Sequence, residues 1–403
     1  MKFCKTCLMP ATRPDLEFDD AGRCDACVTA ERKFGGGLSP IDWDARLQKL
    51  KEIVEDRTKY NRSDYDVVIG VSGGKDSTYQ VHLAKDMLGL KPLCVCLEPT
   101  LPTEIGRRNL QTLNNMGVDI YHVRRNPVVY EKLVLESLRR VGDMEWPNHA
   151  AIWALPYQFA VAFDVPLIFW GEGRMEYAGN FFVDERHLME FDEDFATDYG
   201  TLNGLRADDF IGPSTGLSHS DLYHYRFPER EKLQSVGGNR GCLGLFLGYF
   251  VNWDVRRILQ KIEPLGWKGR EGRTETTYTD FEGLDCLSMN LHDYLKFCKY
   301  GYGRATDDAS RDIRHGDIDR EQALRLVERY DGVYPKNLVE KFCAHFSMQI
   351  AEFDEICDAF TNQEIFETRD GKFIRDIDNS LVMRKEILEC RRNPSGQISQ
   401  KSK

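Results

Sequence analysis

The sequence has no long hydrophobic run. Its most apolar stretch, Gly241–Trp253 (GCLGLFLGYFVNW), holds 13 residues, three of them glycine, too few to cross a bilayer. Lys2, Cys4, Lys5 and Cys7 stand where the apolar centre of a secretory leader would be. A cytoplasmic protein without membrane partners is therefore expected. A basic excess is missing too: 54 Lys+Arg against 65 Asp+Glu leave a net charge of −11. That balance argues against a broad nucleic-acid-binding face. No internal repeat is visible. A chain of 403 residues can bury a sizeable core and needs no disulfide staples, so its 12 cysteines call for another explanation.

Four of them lie in the first 27 residues as Cys4-x2-Cys7 and Cys24-x2-Cys27, separated by 16 residues. Each such turn sets two sulfurs on one side of a tight knuckle, and two knuckles make a closed tetrahedral site. A structural Zn²⁺ is the expected occupant, although spacing alone leaves iron open. The other eight are scattered and read as core thiols, with Cys94 and Cys96 alternating inside an apolar, strand-like run.

The pattern along the chain predicts five regions: a zinc ribbon over 1–34, a glycine-rich linker and helix over 35–62, a nucleotide-binding α/β domain over 63–260, a mainly helical region over 261–392 and a flexible tail over 393–403. FGGGLSP (34–40) is a break, and Trp43, Leu47, Leu50 and Val54 repeat at helical spacing after it. From residue 66, β-branched runs alternate with amphipathic stretches: strands at 66–71, 92–97, 118–123 and 166–170, and helices at 76–88, 104–116, 128–141 and 156–163. Pro156 is placed in the first turn of the last helix. This order predicts a doubly wound, mainly parallel sheet, whose ligands bind beyond the carboxyl ends of the strands. Helices are expected over 291–300, 320–330, 335–346 and 350–360.

Ser72-Gly73-Gly74-Lys75-Asp76-Ser77 follows the first strand and opens a helix. Glycines let the backbone approach phosphate, and the helix N-terminus offers unpaired N–H groups. Ser72 and Ser77 add hydroxyls and Lys75 a charge, while Asp76 suits a Mg²⁺ that bridges phosphate oxygens. The run is not a Walker A loop, because Asp76 stands where that pattern needs Ser or Thr.

Val68–Thr78 (VIGVSGGKDST) resembles the PP-loop ATP pyrophosphatases, a HUP-like superfamily that cleaves ATP between the α- and β-phosphates and joins AMP to a substrate oxygen. The resemblance implies that Ser72, Gly73, Gly74, Lys75, Asp76, Ser77 and Thr78 hold ATP. Within the superfamily, PLIFWGEGRMEYAG (166–179), Asn252-Trp253-Asp254 and YLKFCKYGYGRATDDASRDIRHGDIDR (294–320) are similar to the N-acetyl sugar amidotransferases of surface-polysaccharide and pseudaminic- or legionaminic-type sugar synthesis. Those enzymes adenylate the N-acetyl oxygen of a sugar or nucleotide sugar. Ammonia then replaces it, leaving an acetamidino group, AMP and pyrophosphate. Lys75, Asp76, Glu172 and Arg304 are the implied catalytic residues. Arg304, Arg311 and Arg314 are candidates for an anionic part of the substrate, Tyr302, Asp307 and Asp308 lie beside them, and His149 is a candidate proton acceptor. No glutaminase nucleophile is recognisable, so the resemblance implies ammonia from a separate glutaminase–cyclase pair similar to that of histidine synthesis (HisH/HisF-like). The protein itself could be a homodimer. The alternative is a PP-loop tRNA thiolase, which needs a reactive cysteine pair, an iron–sulfur cluster or a basic face. The stretch 145–153 (EWPNHAAIW), where such a cysteine would be expected, has none, and Cys242 is a lone candidate. A third reading, a ribbon adaptor that keeps the nucleotide fold only to bind partners, sits poorly with an intact Lys75-Asp76-Ser77.

Overall fold

A computed structural model describes residues 1–37, 39–176, 185–198 and 200–394. Six strands form one sheet: β1 (Val67–Gly70), β2 (Pro92–Leu97), β3 (Asp119–Val123), β4 (Leu167–Trp170), β5 (Glu190–Phe191) and β6 (Leu243–Phe246). Their order is β3-β2-β1-β4-β6-β5, parallel throughout except for the antiparallel β5 at one edge. Strands 1, 2, 4 and 6 are short apolar runs because both faces of the sheet are covered. Alternation divides them. Val67 and Ile69 face one core with Leu50, Val81, Ile258 and Ile262, while Val68, Ile168 and Phe246 face a second core with Trp146, Ala151 and Leu155. No described helix is long and apolar enough to cross a membrane.

The chain winds from β1 to β3 in one direction and returns to β4 on the other side of β1. Between the carboxyl ends of β1 and β4 the connections diverge, which opens a crevice. The Ser72–Ser77 loop follows β1 and Glu172 follows β4, so both border that crevice.

Sequence and structure part company in four places. The helix expected at 156–163 runs from Trp146 to Phe163, and Pro156 lies inside it. A proline there removes one backbone hydrogen bond, but this helix is apolar all round and packed between other elements, so burial outweighs that cost. The glycine-bearing 241–253 stretch holds strand β6 and a turn of helix. The helix expected at 76–88 ends at His82 and continues as one π-helical turn, Leu83–Met87. The break after Phe34 is also tied back on itself: Ile41 N–H donates to Arg32 O at 3.0 Å, and Trp43 Nε1 to Lys33 O at 3.0 Å. The expected tail falls largely on 395–403, outside the described residues.

The C-terminal region is helical, with helices Ser288–Tyr300, Arg304–His315, Arg320–Tyr330, Lys336–His345 and Ile350–Phe360, and it adds a small hairpin, Thr368–Arg369 with Lys372–Phe373. The N-terminal ribbon does not stand apart. Cys4, Cys7, Met9, Leu16 and Cys27 pack with Tyr302 and Ile313 of this region.

Candidate functional site

Cys24 immediately precedes helix Asp25–Lys33, and the Cys4–Cys7 knuckle folds against it. Cys4 Sγ lies 3.8 Å from Cys27 Sγ, and Cys7 Sγ 3.6 Å from Cys24 Sγ. The backbone N–H groups of Thr6 and Cys24 point at Cys4 Sγ at 3.4 and 3.1 Å, as donors to a thiolate would. All four ligand atoms lie within 4.8 Å of one another, and all four residues are buried. The four cysteines expected as ligands thus lie together in one closed, buried cluster that could hold a metal ion, with no face open to a substrate.

The Ser72–Ser77 loop owes its shape to close packing. Gly73 has φ +81°, and a Cβ there would stand 2.7 Å from Gly106 O in helix Glu104–Asn115. Trp267 Nε1 donates to Gly73 O at 3.1 Å. Gly74 starts helix Lys75–His82 without a side-chain cap, which leaves the first-turn N–H groups for a ligand. Ser77 Oγ and Thr78 Oγ1 donate to Gly74 O at 3.2 and 2.9 Å. Thr78 is fully buried, so its hydroxyl holds the turn together. Beside Ser72 a cavity of about 280 Å³ opens at the ends of β2 and β3, bordered by Cys96, Glu98, Gly106, Leu110 and His122.

Lys75 is 5% exposed and sits among carboxylates. Its Nζ lies 2.7 Å from Asp76 Oδ2 and 3.0 Å from Glu282 Oε1. Burial disfavours the ammonium, but Asp76, Glu282 and Glu172 more than offset it and hold its pKa above the usual lysine value. Burial and the neighbouring Asp76 push Glu172 up to about 7. Burial acts the same way on Glu282, yet Lys75 and Arg311 overcome it and keep that carboxyl well below its usual range. Asp76 Oδ1 accepts from Trp253 Nε1 at 3.2 Å, while Asp254 caps the next helix through Arg256 N and Arg257 N at 2.9 and 3.1 Å.

A second cavity, of about 390 Å³, lies on the far side of Glu172. Glu172, Gly173 and Phe246 line it from the sheet, Trp153 and Phe195 from its covering helices, and His292, Lys296, Tyr302, Arg304 and Asp307 from the C-terminal region. Arg13, Pro14 and Asp15 of the ribbon complete it. Ion pairs run along one wall. Arg13 Nη1 meets Asp307 Oδ1 at 2.6 Å, Lys296 Nζ meets Asp307 Oδ2 at 2.6 Å and Asp293 Oδ1 at 3.2 Å, and Arg304 Nε meets Asp293 Oδ2 at 3.1 Å. Burial opposes the charge on Lys296, but the two aspartates hold it at about 12.

Lys75, Asp76 and Glu172 therefore come together, and Arg304, Tyr302 and Asp307 line the neighbouring cavity. Arg311 joins the Lys75 cluster through Glu282, while Arg314, His149 and Cys242 line neither cavity. Arg311 binds Glu282 Oε1 at 3.3 Å and Asp308 Oδ1 at 2.9 Å, and Asp308 accepts from Thr277 and Thr279 at 2.6 and 3.2 Å. Arg314 donates to Glu176 O at 2.9 Å. His149 is buried behind His292, ring centroids 5.3 Å apart, and burial lowers its pKa to about 4. Burial pushes the Cys242 thiol up to about 12. Sequence reading overlooked Glu282, Arg13, Lys296 and His292. The last two share one helix face at i, i+4, a pattern that was visible in the sequence.

Residues 275–378 match the family described as LPS biosynthesis protein WbpG-like, C-terminal domain. No curated protein matches the chain. Among solved structures it is similar to NMN synthetase from Francisella tularensis, with 12% identity over 77% of this chain and 98% of that one and a TM-score of 0.33. It is similar to the NH3-dependent NAD synthetase from Campylobacter jejuni, with 12% identity over 47% and 99% and a TM-score of 0.28. It is also similar to the U34-tRNA thiolase NcsA from Methanococcus maripaludis, with 10% identity over 77% and 88% and a TM-score of 0.30.

Proposed function

We propose that this chain, a PP-loop-type α/β protein with a WbpG-like C-terminal domain, is an ATP-dependent ligase that activates the N-acetyl oxygen of a sugar or nucleotide sugar as an adenylate and replaces it with ammonia nitrogen, in lipopolysaccharide or related surface-glycan synthesis. One observation carries the reading. Lys75, in the phosphate-binding turn, is bonded to Asp76 and Glu282 and interacts with Glu172, and Glu172 lines a separate polar cavity. One cavity is thus bordered by Ser72 of the turn and the other by Glu172, whose carboxyl interacts with Lys75 of the same turn, as suits a reaction between ATP and a second substrate.

The nucleoside fits the cavity beside Ser72, and the polyphosphate fits the turn between Gly73 and Ser77. The α-phosphorus then faces Glu172 and the second cavity, whose 390 Å³ suits a small organic substrate. An amide oxygen leaves poorly, and joining it to AMP turns one hard substitution into two easier ones. Lys75 and the turn N–H groups stabilise the charge that develops on pyrophosphate. Asp76, with a quarter of its side chain exposed, is the residue that would hold Mg²⁺, which when bound neutralises phosphate charge. Arg304 and Lys296 suit an anionic substituent of the substrate. The four cysteines suit Zn²⁺: an ion about 2.3 Å from each sulfur needs sulfurs about 3.8 Å apart, close to the 3.8 and 3.6 Å found.

Sulfur transfer through a reactive cysteine is disfavoured, because that route needs an ionised cysteine at the site. Cys96, at the edge of the Ser72 cavity, is pushed up to about 12 by burial. The test is incubation with ATP, Mg²⁺, ammonium chloride and a panel of N-acetylated hexoses and their nucleotide derivatives. AMP, pyrophosphate and a product lighter by about one mass unit, =NH for =O, are expected. AMP formed only with tRNA and a sulfur donor, or release of ADP and orthophosphate, would sink the reading.

A further inference from the structure

His292 lies on helix Ser288–Tyr300 at the wall of the larger cavity, one turn before Lys296. Its Nδ1 is 2.9 Å from Asp143 Oδ1. Asp143 sits in the turn between helices Pro127–Val141 and Trp146–Phe163 and is 3% exposed. The same Oδ1 accepts from Glu145 N–H at 2.9 Å, so the carboxylate cannot swing away. A carboxylate held at Nδ1 fixes the ring tautomer: the proton stays on Nδ1 and the lone pair on Nε2. His292 lines the cavity, and 18% of its side chain is exposed. His149, packed edge-on behind the ring, supports it without reaching the cavity.

We propose that His292 is the general base of the ammonia-dependent half-reaction and that Asp143 is its positioning residue. The assignment rests on the function proposed above. In this step ammonia attacks the carbon of the O-adenylated N-acetyl group and a C–N bond forms. His292 Nε2 accepts one proton from the new ammonium nitrogen. The freed nitrogen lone pair then breaks the C–O bond, AMP leaves with that electron pair, and an amidinium remains. His292 passes its proton to solvent. No oxidant or further reactant is required.

The charge around the ring suits this role. Asp143, Glu145 and His149 face His292 from the elements packed against it, Asp293 and Lys296 share its helix, and Glu172, Arg304 and Asp307 line the same cavity. Burial lowers the basicity of the imidazole, but Asp143 and Asp293 outweigh it, so the pKa lies above the ordinary histidine value. A base with this bias works near or somewhat above neutrality.

Two rates separate the assignment from the reading beneath it: sugar-dependent pyrophosphate–ATP exchange, which reports activation, and amidine formation at a fixed concentration of free NH3. The panel member that drives exchange in the unaltered protein is used throughout. H292Q is expected to slow amidine formation by about 10²–10⁴-fold and exchange far less. D143N removes the anion that stabilises the imidazolium, so the acidic limb of the amidine pH profile should move to lower pH as kcat falls. Amidine formation by H292Q at the original rate, or an unmoved limb in D143N, overturns the assignment while the proposed function stands. A parallel loss of both rates in H292Q also overturns it. If no panel member drives exchange in the unaltered protein, the proposed function itself fails and the role of His292 falls with it.

Discussion

At the scale of the residue, the site is costly to maintain. Glu172 is expected to titrate near 7 in the folded protein, against about 4.5 when unfolded. The folded state then binds the extra proton between those values, so stability falls as pH rises from about 4.5 to 7. E172Q removes the penalty. It should raise the melting temperature at pH 8, corresponding to at most about 3 kcal/mol, leave it little changed near pH 4, and reduce AMP formation. Thermal melts at both pH values check the sign. Lys75 is the complementary case, since its loss removes the cation that Asp76, Glu172 and Glu282 share, although Glu282 keeps Arg311. K75M should lower the rate of AMP formation by at least about 10²-fold, measured as initial rates under saturating ATP. A K75M protein that keeps full turnover removes the site.

At the scale of the element, the turn after β1 depends on helix Glu104–Asn115. Gly73 takes a left-handed conformation with no room for a Cβ. G73A should therefore weaken ATP binding by about 5–150-fold through strain of about 1–3 kcal/mol, which nucleotide titration by calorimetry measures. This part of the fold was legible in the sequence, because strand, glycine turn and helix follow one another locally. β2 begins and ends at the expected residues, and so do helices Arg320–Tyr330 and Ile350–Phe360. The misses have a common cause. Helix Trp146–Phe163 is buried on nearly every side, so it shows no amphipathic period and its proline read as a start. β6 hides among glycines that the fold needs: a Cβ at Gly244 would stand 2.7 Å from Phe191 O, the backbone of the adjoining edge strand. The site was half legible for a similar reason. Ser72–Ser77 is one local motif, whereas Glu282 reaches Lys75 and Asp143 reaches His292 only through the tertiary fold, and nothing near either acid in sequence marks it.

At the scale of the whole molecule, the ribbon forms part of the wall of the larger cavity, the proposed substrate compartment. Arg13 reaches the cavity wall through Asp307, and the four-cysteine site holds the segment from which it projects. R13A should raise the KM for the sugar by about 10–100-fold, the worth of a charged hydrogen bond, and leave the KM for ATP within about twofold. Metal removal by a chelator under reducing conditions should do the same and also lower the melting temperature, because metal binding and folding of such ribbons are coupled. Metal content measured beside the two KM values checks both effects. An apo-protein with an unchanged sugar KM would reduce the ribbon to a scaffold. The pairing also bears on biogenesis. Arg13 and Asp307 are 294 residues apart, so at ordinary elongation speeds roughly 15–60 s pass before the ribosome delivers the partner. A nascent or prematurely terminated chain that ends before Asp307 lacks part of the wall of the larger cavity. Under the proposed function, consumption of nucleotide would therefore wait until residue 307 of the 403 has been made.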